Sequence, residues 1–576
     1  MKRLIALILT LLMLAGCAAE KETPTTPKET EAPNVSVQTQ TPETAYESRF
    51  ASETLIELSD DGIKTAAPGV FASNDIVYYE DRDTYESGNP YGEGEAADKH
   101  TAEEAAAHTV VNITQPGAYR VTGKLSAGQI RIDLGEDAYD DPNAVVELIL
   151  DNADITCTVA PAILFLNVYE CDGDWSEDTA KPDVDTSAAG ANLVLEGENT
   201  VNGSYVARIY KDKEGEKKLW KQDGAVYSYM SMNVFGPGAL DLTAENEGMD
   251  TELHLTIHGG DITIRSGNDG INTNEDNVSV TTINGGTLHI IAGLGAEGDG
   301  IDSNGYLVIN GGSVVSAANP AADAGLDADL GSYIHGGTVI ALGSTMDWAE
   351  SDSDQVTMNL QFAQYRSSDD AIVVTAEDGT EIFSYDPAAD GVLGENARRF
   401  MGAVISCPAF KQGESYLVYV GGEQMMYTGT DVMMRPGGFG GGFGGGQRPE
   451  DGQKPADMDL PEGFGGEMPT WEDGEMPTMP EDVDGQMPGD MDGKQPPEGF
   501  DGQIPEGERP EMPEGEIPTM PDGEAPGIPE GGFDGGRGGR GQGGGFGGEA
   551  QTGEGNTSFY MQDKVNFFSG LTAASE

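Results

Sequence analysis

Four short stretches of this 576-residue chain carry carboxylates and carboxamides at one shared spacing. NEGMDTE (246–252), NDGINTN (268–274), GDGIDSN (298–304) and DAGLDAD (323–329) align on Gly248, Gly270, Gly300 and Gly325. Each glycine is followed by one apolar residue and then by a polar, small, polar triplet. QDGAVYS (222–228) is a weaker first member, and the glycine intervals are 24, 22, 30 and 25 residues. If the copies stack, equivalent positions lie about 4.8 Å apart. One column would then hold Asp250, Asn272, Asp302 and Asp327, and its neighbour Glu252, Asn274, Asn304 and Asp329. Glu247, Asp269 and Asp299 fall at the bend just before the glycine. Stacked carboxylates repel, and more strongly in a partly buried corner than in water. A hard cation with oxygen ligands relieves that repulsion, and calcium accepts carboxylate, amide and carbonyl oxygens in loose geometry, whereas magnesium demands a strict octahedron. The pattern therefore points to calcium between repeats, held by Asp250, Asp269, Asn272, Asn274, Asp299, Asp302, Asn304, Asp327 and Asp329. The alternative is metal-free: Asp-Gly and Asn-Gly are common turn formers, and Asn ladders can stack without an ion.

The elements that must position these residues repeat at the same period. LTIHGGDITI, TTINGGTLHI, LVINGGSVVS and SYIHGGTVIA place Gly-Gly at 259, 285, 311 and 336, each pair flanked by short alternating apolar residues. Two turn series at one period of about 25 residues describe a coil whose repeats bury their apolar faces only by stacking. The repeats contain short runs of Ile, Val, Leu and Thr with period-two alternation and no segment long enough for a helix, which predicts an all-β chain folded as a parallel β-helix solenoid. A leucine-rich repeat would need a recurrent Leu and Asn ladder, and calcium-binding nonapeptide repeats would need GGxGxD in every copy; neither is present. His258 and His335 precede two of the glycine pairs where Asn284 and Asn310 precede the others, an exchange that suggests a local turn hydrogen bond rather than a metal ligand.

Outside the repeats the composition changes. Residues 436–555 are mostly Gly, Pro, Glu, Asp and Met, too poor in apolar surface to offset the entropy of ordering, and read as a long disordered acidic insertion. Residues 556–576 regain aromatic and apolar alternation and are expected to return as a C-terminal strand packed on the coil. At the other end, MKRLIALILTLLMLAGCAAE has a basic start, a short apolar run and LAGC, which looks like a bacterial lipoprotein signal over residues 1–17 with Cys17 lipidated. Residues 18–51 suit a flexible tether. In an exported protein Cys157 and Cys171 are the natural disulfide pair and Cys407 the odd one. With 31 Lys and Arg against 100 Asp and Glu, and a formal net charge of -69, nucleic-acid binding is excluded.

VTGKLSAGQIRID (121–133), VELILDNADITCTVAPAILFLN (146–167), the DGAVYS start and the DGI and NGG repeats together resemble the clostridial carbohydrate-binding domain family of calcium-loaded, right-handed parallel β-helices. The likeness covers roughly residues 52–435. It implies a right-handed coil, bound calcium, and binding of cellulose or of acidic plant polysaccharide such as polygalacturonate, on a shape similar to pectate lyases. The chain departs from the pattern around residues 81–107, in the long acidic insertion, and in DAGLDAD and NEGMDTE, which lack the full DGI.

These readings converge on a monomeric, non-enzymatic polysaccharide-binding protein anchored by lipid to the extracellular face of the cell membrane. Its one basic cluster, RIYKDKEGEKKLWKQDG (208–224), supplies Arg208, Lys211, Lys217, Lys218, Trp220 and Lys221 as candidate contacts to uronate carboxylates, although charge runs are often only solvated excursions. A calcium-dependent lyase is the rival reading and needs Lys or Arg beside the metal; no lysine lies between Lys221 and Lys411, and Arg265 is the only arginine there before Arg366. A structural or adhesive surface protein is the third.

Overall fold

Short apolar runs between glycine bends become strands. The computed structural model describes residues 46–79, 98–173, 176–177, 179–209, 220–344, 346–388, 398–429 and 555–574. Among these, regular structure is almost entirely β; the exceptions are one five-residue α-helix, Ala102–Ala106, and one 3-10 turn, Glu136–Asp140. No described helix is long and apolar enough to cross a membrane. All described residues fall in one compact unit.

Three ladders of parallel strands organise that unit. The first runs through Ile163–Asn167, Gly224–Ser228, Glu247–Thr251, Ile271–Thr273, Ile301–Ser303 and Leu326–Ala328. The second runs through Ala191–Glu196, Met232–Phe235, Leu255–Ile257, Val280–Ile283, Tyr306–Ile309 and Gly331–Ile334. The third runs through Glu198–Gly203, Ala239–Ala244, Asp261–Ser266, Thr287–Ile291, Ser313–Ala317 and Thr338–Gly343. From residue 224 the chain visits the ladders in turn and then returns to the first, laying each new strand beside its predecessor.

The inward side chains of the three ladders share one apolar core. Met249, Ile271, Ile301 and Leu326 from the first meet Val234, Ile257, Ile283 and Ile309 from the second and Leu240, Ile262, Leu288 and Val314 from the third, all buried. Burial of each such side chain is worth about 1.5–3 kcal/mol. The repeated glycines answer to two different demands. At the Asp-Gly bend the coils approach too closely for a side chain: a Cβ on Gly300 would lie 1.9 Å from Ser316 Oγ and 2.5 Å from the Gly325 carbonyl oxygen. In the Gly-Gly series Gly286, Gly312 and Gly337 adopt φ of 88°, 84° and 88°, the left-handed region that disfavours other residues.

An antiparallel layer closes the last coil. Phe400–Ser406 pairs with both Thr338–Gly343 and Thr357–Arg366. The C-terminal strand Val565–Ala573 runs parallel to Thr357–Arg366 and antiparallel to Glu423–Met426. Phe362, Phe400, Phe559 and Phe568 form a second core that covers Ile291, Val315, Ile340 and Leu342 of the third ladder. Tyr427 and Asn556 exchange backbone hydrogen bonds, so the ends of the segment between them are held together.

Candidate metal and ligand site

In the first ladder, strand alternation turns every second side chain away from the core. Register places Tyr227, Asp250, Asn272, Asp302 and Asp327 side by side in that outward column. The first copy slips by one residue: Gly224 pairs with Glu247, not Gly248, and Tyr227 with Asp250. Asp223 immediately precedes Gly224, and its backbone carbonyl accepts from the Glu247 N–H at 3.1 Å. One carboxylate oxygen from each of Asp223, Glu247 and Asp250 lies within 4.8 Å of the others, and all three residues are buried.

Lys221, the middle residue of the strand Trp220–Gln222, sets its ammonium against Asp223 Oδ2. From the next coil Asn274 Nδ2 donates to Asp250 Oδ1 at 2.6 Å. Tyr227 Oη donates to Glu252. Three oxygens remain buried without a hydrogen-bond donor: Glu247 Oε2, Asp250 Oδ2 and Asn272 Oδ1. Burial, with the Asp223 charge adding and Lys221 opposing, pushes the Glu247 carboxyl up to about 7. Burial and then Glu247, Glu252 and Asp223 lift Asp250 well above the carboxylate range. Burial disfavours the Lys221 ammonium, but Asp223, Glu247 and Asp250 outweigh it and hold that proton more firmly than in a free lysine.

A second acidic run continues along the same edge. Asp269 Oδ1 accepts from the Asp299 backbone N–H at 2.6 Å, Asp299 Oδ1 from Ala324 N–H at 2.5 Å, and Asp323 Oδ2 from Gly298 N–H at 2.9 Å. These carboxylates therefore tie each coil to the backbone of an adjacent one. Burial, followed by Asp269, Asp299, Asp327 and Asp329, raises Asp302 well above its usual range; burial also raises Asp269, Asp299 and Asp327, and with Asp327 and Asp276 lifts Asp329 to about 6. In the neighbouring column Asn304 Nδ2 donates to the Asn274 carbonyl oxygen at 2.8 Å and to Asp276 Oδ1 at 3.3 Å.

A family model described as "Carbohydrate-binding domain-containing protein" matches residues 107–403, a span that contains all three ladders and both acidic groups. The chain belongs to the carbohydrate-binding domain-containing protein family. A curated relative in this family, a carbohydrate-binding domain-containing protein of Acetivibrio thermocellus, is 27% identical over 157 residues, which is 27% of this chain and 45% of the relative. The match thus spans less than half of the relative's length. Among solved structures, the polysaccharide lyase-like protein from C. thermocellum, as a gadolinium derivative, aligns at 20% identity over 50% of this chain and 93% of that one, with a TM-score of 0.30.

In this family member the expected oxygen donors fall into the two groups just described: Asp250, Asn272 and Asn274 with the lysine corner, and Asp269, Asp299, Asp302, Asn304, Asp327 and Asp329 with the run beyond it. Asp223 is a corner residue that the sequence reading left out. Extending the pre-glycine column of Glu247, Asp269 and Asp299 back to QDGAVYS would have found it.

The basic cluster departs from expectation. Lys221 faces carboxylates of its own chain, because its strand ends at the acidic corner. Arg208 and Trp220 lie on the antiparallel strands Val206–Ile209 and Trp220–Gln222, whereas Lys211, Lys217 and Lys218, like Cys17, fall outside the described residues. Trp348 packs edge-on against Phe567 at 4.8 Å between ring centroids. Arg265 pairs with Asp241 at 2.5 Å. His258 stacks on Phe235, ring centroids 4.6 Å apart, and the Asn310 amide donates to Asn284 in the same column at 2.9 Å.

The expected Cys157–Cys171 disulfide does not form: both thiols are free. The cysteines flank the strand Ile163–Asn167, whose five residues alone span about 16 Å, and a disulfide requires Cα atoms within about 7 Å. Burial pushes the Cys157 thiol up to about 11, and burial together with Glu170 raises Cys171 further, so neither is an activated nucleophile.

Proposed function

We propose that this chain is a calcium-stabilised, right-handed parallel β-helix that binds plant-type polysaccharide, cellulose or polygalacturonate, without cleaving it. The observation that carries this reading is the coincidence of the family match over residues 107–403 with the acidic edge of the first ladder. The repeating circuit through three parallel ladders supports the β-helix. Family membership supports a polysaccharide ligand. An N-terminal lipid at Cys17 would hold the protein at the extracellular face of the membrane, acting as a monomer.

The donor chemistry fits calcium. Asp223, Glu247, Asp250 and Asn272 offer only hard oxygens, and three of the buried ones lack any partner. Asp269, Asp299, Asp302, Asp327 and Asp329 offer the same atom type in the coils beyond. Calcium bound at either group would supply positive charge against stacked carboxylates and could bridge them to an anionic glycan.

One observation favours a lyase as the second reading: Lys221 stands beside the three-carboxylate corner. A base must be able to lose its proton, however, and the surrounding carboxylates hold this one. Arg265, the other candidate, is engaged by Asp241. Calorimetric titration with polygalacturonate, in calcium and again in chelator, separates the readings when ultraviolet absorbance of an unsaturated uronide is followed in the same mixture. Calcium-dependent heat without an absorbance rise is the expected result. A steady rise replaces the binder with a lyase, and no heat with any plant glycan replaces it with a structural surface protein.

A further inference from the structure

Resting on the calcium reading above, we infer that Lys221 and a divalent cation are alternative occupants of the Asp223–Glu247–Asp250 corner, so that binding of the cation expels the Lys221 ammonium from its carboxylate contact.

The donors are already convergent. Oxygens of the three buried carboxylates lie within 4.8 Å of one another. Glu247 Oε2, Asp250 Oδ2 and Asn272 Oδ1, in residues 3%, 0% and 6% exposed, have no hydrogen-bond partner. The contact of Lys221 with Asp223 engages one of these ligands, and an ammonium and a dication in one buried corner repel each other. A fully closed cation site therefore requires the lysine to leave.

Lys221 has a way out. About a quarter of its side-chain surface is exposed, 26% against 9% for Asp223. It also belongs to a separate two-stranded sheet, Val206–Ile209 with Trp220–Gln222, outside the three parallel ladders. The ammonium can swing to solvent without breaking a ladder hydrogen bond. Lysine thus serves as the resident counter-ion of the corner when calcium is scarce, and calcium affinity is set by how readily it departs.

The test is calorimetric titration of calcium into the chelator-stripped full chain, as the unaltered protein and as K221M, K221R and D250N. D250N is expected to remove one binding event, K221M to tighten that same event by about 5- to 150-fold, the usual range of coupling between two ligands, and K221R to leave it near the unaltered value. In parallel, acylation of Lys221 by an amine-reactive ester, read by peptide mass spectrometry, is expected to rise with calcium in the unaltered protein and not in D250N. An unchanged or weaker affinity in K221M overturns the exchange, as does equal acylation with and without calcium; where K221M does not stay folded without calcium, the acylation result decides. Calcium binding that is indifferent to both D250N and K221M overturns the exchange but leaves calcium at Asp269–Asp329 standing. No binding in any variant overturns both.

Discussion

The two acidic groups on the first ladder are built from the same kinds of oxygen donor, yet they neutralise their charge differently. At Asp223, Glu247 and Asp250 a lysine of the chain supplies a full positive charge. Along Asp269, Asp299 and Asp323 the carboxylates accept from backbone N–H groups of an adjacent coil. A backbone dipole satisfies a hydrogen bond but does not cancel a charge; Lys221 still acts on Asp269 and Arg398 on Asp323, so within the second group Asp299 and Asp302 carry the least compensated repulsion. Repeated sequence therefore does not imply repeated electrostatics: one residue outside the repeat, Lys221, changes the chemistry of a whole corner.

The largest expected effect breaks this contrast at the lysine. K221M in chelator leaves buried carboxylates without their counter-ion and should cost about 3–5 kcal/mol of stability by urea unfolding, the range found when one partner of a buried pair is removed. D302N in the second group should move the other way, raising stability in chelator by roughly 1 kcal/mol, because it removes one of several mutually repelling carboxylates. Saturating calcium should shrink both differences. Two shifts of the same sign would mean that the groups are not electrostatically distinct.

The pH dependence comes next in size. Folding raises the carboxyl pKa of Glu247 from 4.5 to about 7 and lifts Asp250, Asp269, Asp299 and Asp302 in the same direction, chiefly by burial. Between the unfolded and folded values the folded chain binds more protons than the unfolded one, so stability is highest below pH 4 to 5 on this account and falls as pH rises towards 7. For Glu247 alone the loss is on the order of 3 kcal/mol. Urea midpoints of chelated protein should therefore fall from pH 5 to pH 8. With calcium present the trend should flatten, since metal binding needs the carboxylates deprotonated. A midpoint that climbs with pH in chelator would show that these groups are ionised and stabilising in the fold.

Much of this arrangement was legible in the sequence, and the failures have local causes. The column Asp250, Asn272, Asp302 and Asp327 followed from the constant spacing inside each copy, because parallel ladders in register keep equivalent positions adjacent. The weaker QDGAVYS copy was aligned one residue out, since the glycine that marks the bend elsewhere pairs here with Glu247. Lys221 was read with the basic residues that precede it in sequence, whereas strand pairing at Trp220–Gln222 delivers it to carboxylates that follow. Cys157 and Cys171 are near in sequence but sit at opposite ends of a strand. In each case the missing information was direction: spacing shows which positions stack, but not where a chain entering from outside the repeat points its side chain.

The smallest expected effect sharpens the comparison by supplying an exposed reference pair. Arg265 and Asp241 on the third ladder approach as closely as a buried pair, at 2.5 Å, but their side chains are 28% and 56% exposed. Water and salt screen such a pair, and the long Arg265 side chain loses rotamer freedom to make it, so exposed ion pairs are worth about 0–1 kcal/mol. R265A should lower stability by no more than that, and the loss should vanish in high salt, where the K221M penalty in chelator persists because the corner is buried. R265A should also leave polygalacturonate binding unchanged, as the binder reading requires of a residue outside the acidic edge. If R265A costs as much as K221M, short distance rather than burial governs these ion pairs, and the lysine corner loses its special status. Comparable effects on glycan binding would instead move the ligand from the first ladder to the third.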